Sequence, residues 1–571
     1  MNSYFKKFIG VLALVAVVVA CNEEFLETKP YGSVNESLLA TSEKGANSLL
    51  IAAYSNLDGF SGWDNGSPWG GAASNWTFGS VAGGDAYKGS EAGDQPDVTP
   101  IELHSIDANN PYVEGKWRNY YDGISRTNQA IKAFKSLTNI VENQRTQRLA
   151  EARFLRGFYH YELHKIFGNV PYIDETLVDV RIGNAGSPLA KIQADLKAAA
   201  DVLPLTQPEV GRATKGGAQA LLAASYLREN KYAEAKALLD AIINSKRYSL
   251  NALYHDNFNP AVRNTNESVL EVQQSVNDGT EGDNGNWGDV LNFPYNGGPQ
   301  GCCGFHQPSQ NLVNAFQTDA NGLPLLDTYN NQDVKSDNGI KSADPFTTHT
   351  GNLDPRLDWT VGRRGVPYLD WGLHPGSTWI RDQSYGGPYA PKKNVHYRTQ
   401  QGVLSSAAGW STGPNTNNVK LIRYADVLLQ AAECEVEIGS LEKAREYTNL
   451  VRARAANPAG WVKKDDGTPA ANYVISQYTA AWTDKALARK AVRFERRLEL
   501  GMEGHRFFDL VRWGTAEAEK TAYFAAEGKK RQYLAGGRFV KGKSEVFPIP
   551  AKAITQSAKE GKTTITQNPG Y

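Results

Sequence analysis

Cysteine is scarce in this chain: 571 residues contain four, at Cys21, Cys302, Cys303 and Cys434. So few thiols exclude a disulfide-stapled scaffold. An excess of charge is also missing, since Lys plus Arg and Asp plus Glu each total 61. That balance removes the general electrostatic attraction on which nucleic-acid binding rests. Catalytic signatures are absent as well: the sequence has no HExxH helix, no Walker loop and no nucleophile elbow. The apolar run Phe8–Ala20 has 13 residues, short of the ~20 that a membrane-crossing helix needs.

What the chain does have is length, glycine and aromatic rings. It holds 54 Gly and 12 Trp, and aromatics make up 10% of it. A chain this long buries a large core, and the composition reads as globular with long ordered loops. The start, "MNSYFKKFIGVLALVAVVVACNEEFLETKP", has Lys6 and Lys7, the apolar run, and then Cys21. This is a signal-peptide pattern, and Val18, Val19 and Ala20 before Cys21 resemble a bacterial lipobox. Residues 1–20 are expected to be removed, leaving lipidated Cys21 at the head of a single unit, 21–571. Several acyl chains on one cysteine anchor firmly where one is marginal. A plain secretory signal with an incidental cysteine is the alternative.

Helical and irregular stretches alternate. Residues 21–250 read as a helical half, with helices near 41–57, 117–134, up to Gly168, and 189–203. They are interrupted by a Gly/Ser/Asn-rich segment, 58–98, that contains Trp63, Trp69 and Trp76. A long loop without periodicity inside a compact chain is usually functional. "GGAQALLAASYLRENKYAEAKALLDAIINSKRYSL" looks like a tetratricopeptide hairpin, with Ala223 and Ala235 at its close-approach positions, and Ala432 and Ala444 repeat that spacing. The long gap between the two hairpins argues against a continuous solenoid and for helical hairpins forming a scaffold inside a larger fold. Residues 251–571 read as a loop-rich region followed by a second helical half. The fold class is mainly α: tetratricopeptide-like helical hairpins with long irregular loops.

"ERRLELGMEGHRFFDLVRWG", Glu495–Gly514, stacks Glu495, Glu499 and Glu503 at four-residue spacing among arginines. Paired carboxylates can serve glycoside hydrolysis. Such carboxylates repel unless cations neutralise them, and Arg496 and Arg506, each three residues from a glutamate, read as those cations. The stretch therefore reads as an ion-pair network. It also closely resembles the C-terminal hallmark of the SusD/RagB family of Bacteroidetes surface lipoproteins. "CNEEFLETKP", "GGDAYKGSEAGDQP", "EARFLRGFYHYELHKIFGNVPYI", "LIRYADVLLQAAECEVEIG" and "VFPIPAKAITQSAKEGKTTITQNPGY" resemble other family blocks in order. Glu23 and Glu24 resemble the surface-export signal of such lipoproteins.

The resemblance implies a glycan-binding, non-enzymatic lipoprotein of the outer-membrane surface, the hinged lid of a SusC-like TonB-dependent transporter. A peptide-capturing RagB-like lid and a surface glycoside hydrolase are the alternatives. It further implies a ligand site built from residues 58–98 and 277–400. A sugar needs aromatic faces beside carboxylate, amide or guanidinium groups. The candidates are Asp58, Trp76, Trp287, Arg381 and Tyr397, with Arg363 a weaker one. Cys302 and Cys303 join them: oxidised, they form a compact apolar ring that can pack on a sugar face, and reduced, they are two buried thiols. That non-aromatic platform suggests a fructan. "NDGTEGDNGNWGD", around Trp287, could bind calcium, although its spacing is not that of an EF-hand; otherwise no metal or cofactor is expected. Cys434 lies on a helical pattern as a buried free thiol. If the anchor reading holds, Cys21→Ala leaves the protein in the soluble fraction after a salt wash of membranes from cells lacking the transporter, whereas persistent membrane association overturns it.

Overall fold

A computed structural model describes residues 39–60, 68–280, 284–299, 302–406 and 414–571. The signal segment, Cys21, Trp63 and part of the 277–289 stretch lie outside the described residues. Fourteen α-helices of six or more residues are described: α1 (Glu43–Ser55), α2 (Val98–Leu103), α3 (Pro111–Ser136), α4 (Glu142–Phe167), α5 (Leu189–Val202), α6 (Lys215–Leu227), α7 (Tyr232–Asn244), α8 (Gln310–Ala315), α9 (Tyr424–Ile438), α10 (Leu441–Ala455), α11 (Lys485–Leu500), α12 (Arg506–Arg512), α13 (Ala516–Glu527) and α14 (Ala551–Gln556). The strands are short: β1 (Ala86–Gly89), β2 (Ser268–Val272), β3 (Phe305–Pro308), β4 (Val361–Gly362), β5 (Ala390–Pro391) and β6 (Val419–Arg423). They form three antiparallel pairs, β1–β3, β2–β6 and β4–β5.

Local chemistry starts and stops the helices. Asn110 caps α3 by accepting from the Tyr112 amide, and Pro111 follows at the first turn. Asp484 caps α11 through the amides of Ala486 and Leu487. Gly168 ends α4 with φ +68°, a conformation that glycine adopts at little cost. The hairpin alanines do what their spacing suggests: Ala223, Ala235, Ala432 and Ala444 are all fully buried, and α6 packs on α7 and α9 on α10. The two hairpins nevertheless join in space. α3, α4, α5, α6 and α7 pack each on the next, and α7 then packs on α9. The stack is continuous in space although residues 245–423 interrupt it in sequence.

The Glu495–Gly514 stretch is structural, but its wiring differs from the local reading. α11 ends at Leu500, and a turn follows in which Met502 (φ +69°) and Gly504 (φ +79°) are left-handed. Glu503 is therefore off the helix. Glu495 accepts from Arg356 (2.7 Å) and Arg452 (2.8 Å). Glu499 accepts from Arg356 (3.0 Å), Arg423 and Arg454. Glu503 accepts from Arg423 (2.9 and 3.0 Å) and Lys393 (2.7 Å). Arg496 instead pairs with Asp426 and Asp509, and Arg506 with Glu519. Arg363, a weaker ligand candidate, forks onto Asp358 at 2.6 and 2.8 Å, buried. Cys302 and Cys303 are joined by a disulfide, and Cys434 is a buried free thiol.

Two expectations follow. Protein lacking Cys21 shows one free thiol when denatured without reductant and three after reduction; three before reduction rule out the bonded pair. The second concerns charge. Burial alone would raise the Glu503 carboxyl, but Arg423 and Lys393 overcome it and hold the group down from 4.5 to about 2. Glu499 is likewise lowered, with Arg454, Arg423 and Arg356 outweighing burial. A depressed carboxyl contributes stability that is complete above its ordinary value and lost as pH falls through the folded one. Stability from this pair is thus expected to hold above about pH 4.5 and to decline toward about pH 2. Glu499→Gln should lower stability by about 3–5 kcal/mol, the cost of breaking a buried pair. Urea unfolding at pH 7 and pH 4 measures both, and a variant as stable as the parent contradicts the network reading.

Candidate ligand-binding surface

The early irregular segment is fastened at both ends of its length. Residues Trp76–Val81 form a single π-helical stretch. A Cβ added at Gly79 would lie 1.9 Å from the Gly504 carbonyl, and one at Gly504 1.9 Å from that of Ser74. Only glycine permits this backbone contact. β1 then pairs with β3, with Gly89 opposite Phe305, so residues 90–95 lie beside the loop that carries the disulfide. The Ser90 amide donates to the Gly304 carbonyl (2.5 Å) and to Gln307 Oε1 (3.1 Å).

At this junction a mixed cluster forms. Arg381 Nη1 donates to Asp94 Oδ2 (2.5 Å) and Ser90 Oγ (3.2 Å), and Nη2 to Glu91 Oε1 (2.7 Å). Its guanidinium carbon lies 5.4 Å from the centre of the Tyr295 ring, within cation–π range. Tyr295 is half-buried, and its amide donates to the Trp379 carbonyl at 2.9 Å. Gly297 and Gly298 lie flat on the Trp379 ring, where added Cβ atoms would sit 2.7 and 2.8 Å from ring atoms. Gly304 donates to the Phe293 carbonyl (2.9 Å), and its Cβ position is 3.3 Å from that of Tyr295. The disulfide precedes Gly304 directly, with Cys302 half-buried and Cys303 buried. Lys88 braces the loop from beneath through the carbonyls of Glu91 (2.7 Å) and Asp94 (2.5 Å). Burial pushes its ammonium down to about 8.

Of the residues singled out from sequence, Arg381 is in this cluster; the Cys302–Cys303 disulfide adjoins it in the chain through Gly304, with Cys303 in the main core and Cys302 packed against that core. Trp76 does not: its ring is fully buried, its Nε1 donates to the Gly288 carbonyl (3.0 Å), and Phe305 and His306 pack on it at 6.2 and 5.8 Å. No face is left for a ligand, and truncating the ring would open a core cavity instead. Trp287, 5% exposed, is likewise in the main core. Tyr397 belongs to another aromatic group, 5.6 Å from His255, which stacks on Trp359. Asp58 ends a 3₁₀ turn and accepts from the Phe60 amide (2.8 Å); burial raises its carboxyl to about 7. In the candidate calcium stretch, Asp278 accepts from Ser275, Thr280 and Asn284, and Asp289 from Ser74, Asn286 and Asn292. The described residues contain no metal-ligating cluster. Sequence reasoning missed Tyr295, Glu91 and Asp94. The glycines after Tyr295 in "NFPYNGGPQGCCG" were the available signal, since they let chain lie flat on a ring.

A family model described as the SusD family matches residues 266–571, and one described as "Starch-binding associating with outer membrane" matches residues 24–227. The SusD-like protein P2 of Formosa agariphila is 24% identical over 585 residues, covering 99% of this chain and all of the relative. A solved laminarin-binding SusD-like protein superposes with a TM-score of 0.66 at 23% identity, over 93% of this chain and all of that one. Surface glycan-binding protein A from Bacteroides thetaiotaomicron, solved with laminarihexaose, gives 0.67 at 21%, over 92% of this chain and all of that one. At these identities the superpositions establish the fold alone. The family model spans more than half of the sequence, and this chain belongs to the SusD family.

Proposed function

We propose that the protein is a lipid-anchored glycan-capture subunit on the outer-membrane surface. It binds oligo- or polysaccharide at the Tyr295–Arg381–Cys302–Cys303 cluster and passes it to a TonB-dependent barrel transporter over which it acts as a lid. The observation that carries the reading is the Arg381 guanidinium, held over Tyr295 and hydrogen-bonded to Glu91 and Asp94. An aromatic face, a disulfide's apolar edge, a guanidinium and two carboxylates offer a sugar both its stacking surface and its hydroxyl partners. Family membership supports the transporter partnership and the outer-membrane location. Hydrolysis is not part of the proposal, because Glu495, Glu499 and Glu503 are buried and spent on arginine and lysine. The fructan suggestion finds no support among the relatives, whose names mention laminarin and starch.

Isothermal titration against a neutral polysaccharide panel that includes laminarin and starch tests the site. Tyr295→Ala and Arg381→Ala should each weaken the bound glycan several-fold to about tenfold, the equivalent of ~0.5–1.5 kcal/mol per contact. Both side chains sit at a half-open edge, so melting temperature should hardly move. Unchanged affinity in both variants places the ligand elsewhere, and release of reducing sugar by the pure protein overturns the non-enzymatic reading.

A further inference from the structure

The outer side of α11 and α12 carries a second set of cations, apart from the Arg381 cluster. They line a groove of about 300 Å³, the small end of the range for ligand pockets. Five cations border it: Arg489, Lys490, Arg493, Arg497 and Arg506. Four have a carboxylate at hand: Arg489 with Glu437 (2.6 Å), Lys490 with Asp327 (2.6 Å), Arg497 with Asp85 (3.2 Å) and Arg506 with Glu519 (3.1 Å). Among the described residues Arg493 has none within 4 Å. Its Nε, like that of Arg506, is buried without a hydrogen-bond partner.

Arg493 is nonetheless held in place. Its guanidinium carbon lies 4.7 Å from the centre of the Trp513 ring. Glu433, which acts on it electrostatically, is already hydrogen-bonded elsewhere: it takes both Arg512 amines at 2.6 and 2.8 Å and the Trp513 Nε1 at 3.0 Å. Burial, with Arg512 and Arg489, disfavours the charge of Arg493, and Glu433 and Glu437 offset this only in part; a guanidinium cannot shed its proton in a protein. A partly buried cation without an anion is costly. The rest of the wall mixes apolar surface from Leu326, Tyr329, Phe494 and Leu510 with the carboxylates of Asp327 and Glu519, which are paired with Lys490 and Arg506.

We propose that this groove binds a single acidic sugar unit, with its carboxylate or sulfate group on Arg493 and its C–H face on the wall of Leu326, Tyr329 and Phe494. The unmatched guanidinium calls for the anion, and a preoriented arginine recognises planar or tetrahedral oxyanions through paired N–H groups. The apolar wall and the size call for one ring rather than a polymer. The sugar half of the assignment rests on the glycan-capture reading; the anion half stands without it.

Titrating the purified mature protein with sodium glucuronate and with glucose 6-sulfate, against glucose and sodium sulfate at constant ionic strength, tests the site. We expect saturable binding of an acidic sugar, with glucose and free sulfate weaker by about tenfold or more. Arg493→Gln should weaken the acidic sugar by a similar factor, and Leu326→Glu, on the half-exposed rim, should do so by repulsion if the first variant folds poorly. Arg381→Ala should leave this binding unchanged while it weakens capture of neutral glycan, so the two sites fail separately. Equal binding of sodium sulfate and acidic sugar reduces the site to a free-ion site and overturns the sugar assignment. Acidic sugars bound no better than glucose, or bound equally by Arg493→Gln, overturn the site altogether.

Discussion

Glu499 is the point on which the rest of the molecule turns. One buried carboxylate gathers Arg356 from the segment before β4, Arg423 from the end of β6 and Arg454 from α10. Arg356 also holds Asp354 and Glu495, and Arg423 holds Glu267 and Glu503. Isolated, each ion in such a place would face a desolvation cost larger than any single attraction could offset. Joined, each carries several charge-assisted bonds, so removing any member strands the others. The loop-rich region and the helical stack are thus fastened together through charges in a dry interior, as well as by the apolar core.

That fastening reaches the proposed ligand face through the turn after α11. Gly504 meets the backbone of Ser74 and Gly79 at distances that no side chain tolerates, and its amide donates to Ser80 Oγ at 3.1 Å. Trp76 is drawn into the core beside this contact, and β1 and β3 carry the constraint outward to Ser90 and Gly304. Arg381 and Tyr295 therefore sit on irregular chain that rests on rigid supports. A small second core, with Phe293, Tyr368, Trp379 and Ile380, lies directly beneath.

The helices were legible because burial repeats with their period. Leu155, Phe158, Tyr159 and Leu163 recur as a helix demands, and all are buried. The ionic character of the Glu495–Gly514 stretch was legible too, but its partners were not. Arg423 is 76 residues from Glu499 and Arg356 143, and spacing rules see only neighbours. The same four-residue rhythm concealed the helix end at Leu500, which Gly501 and Gly504 signalled. Trp76 was misread for a related reason: a Gly/Ser-rich, aperiodic segment suggests exposure, whereas this one is buried backbone against backbone. Tyr295 was passed over because nothing periodic surrounds it.

The early loop has its anchors at the far end of the chain. Asp85 pairs with Arg497, 412 residues on; Ser80 accepts from Gly504, 424 on; and Tyr87 bonds Glu527, 440 on. Closing so wide a span adds only modestly to the entropic cost, which grows with the logarithm of length, but contacts this remote in sequence slow assembly. The proposed recognition face is consequently a property of the finished polypeptide. It cannot form on a nascent or exported N-terminal part, and proteolytic loss of the segment from α11 onward would erase a surface whose own residues the cut never reaches.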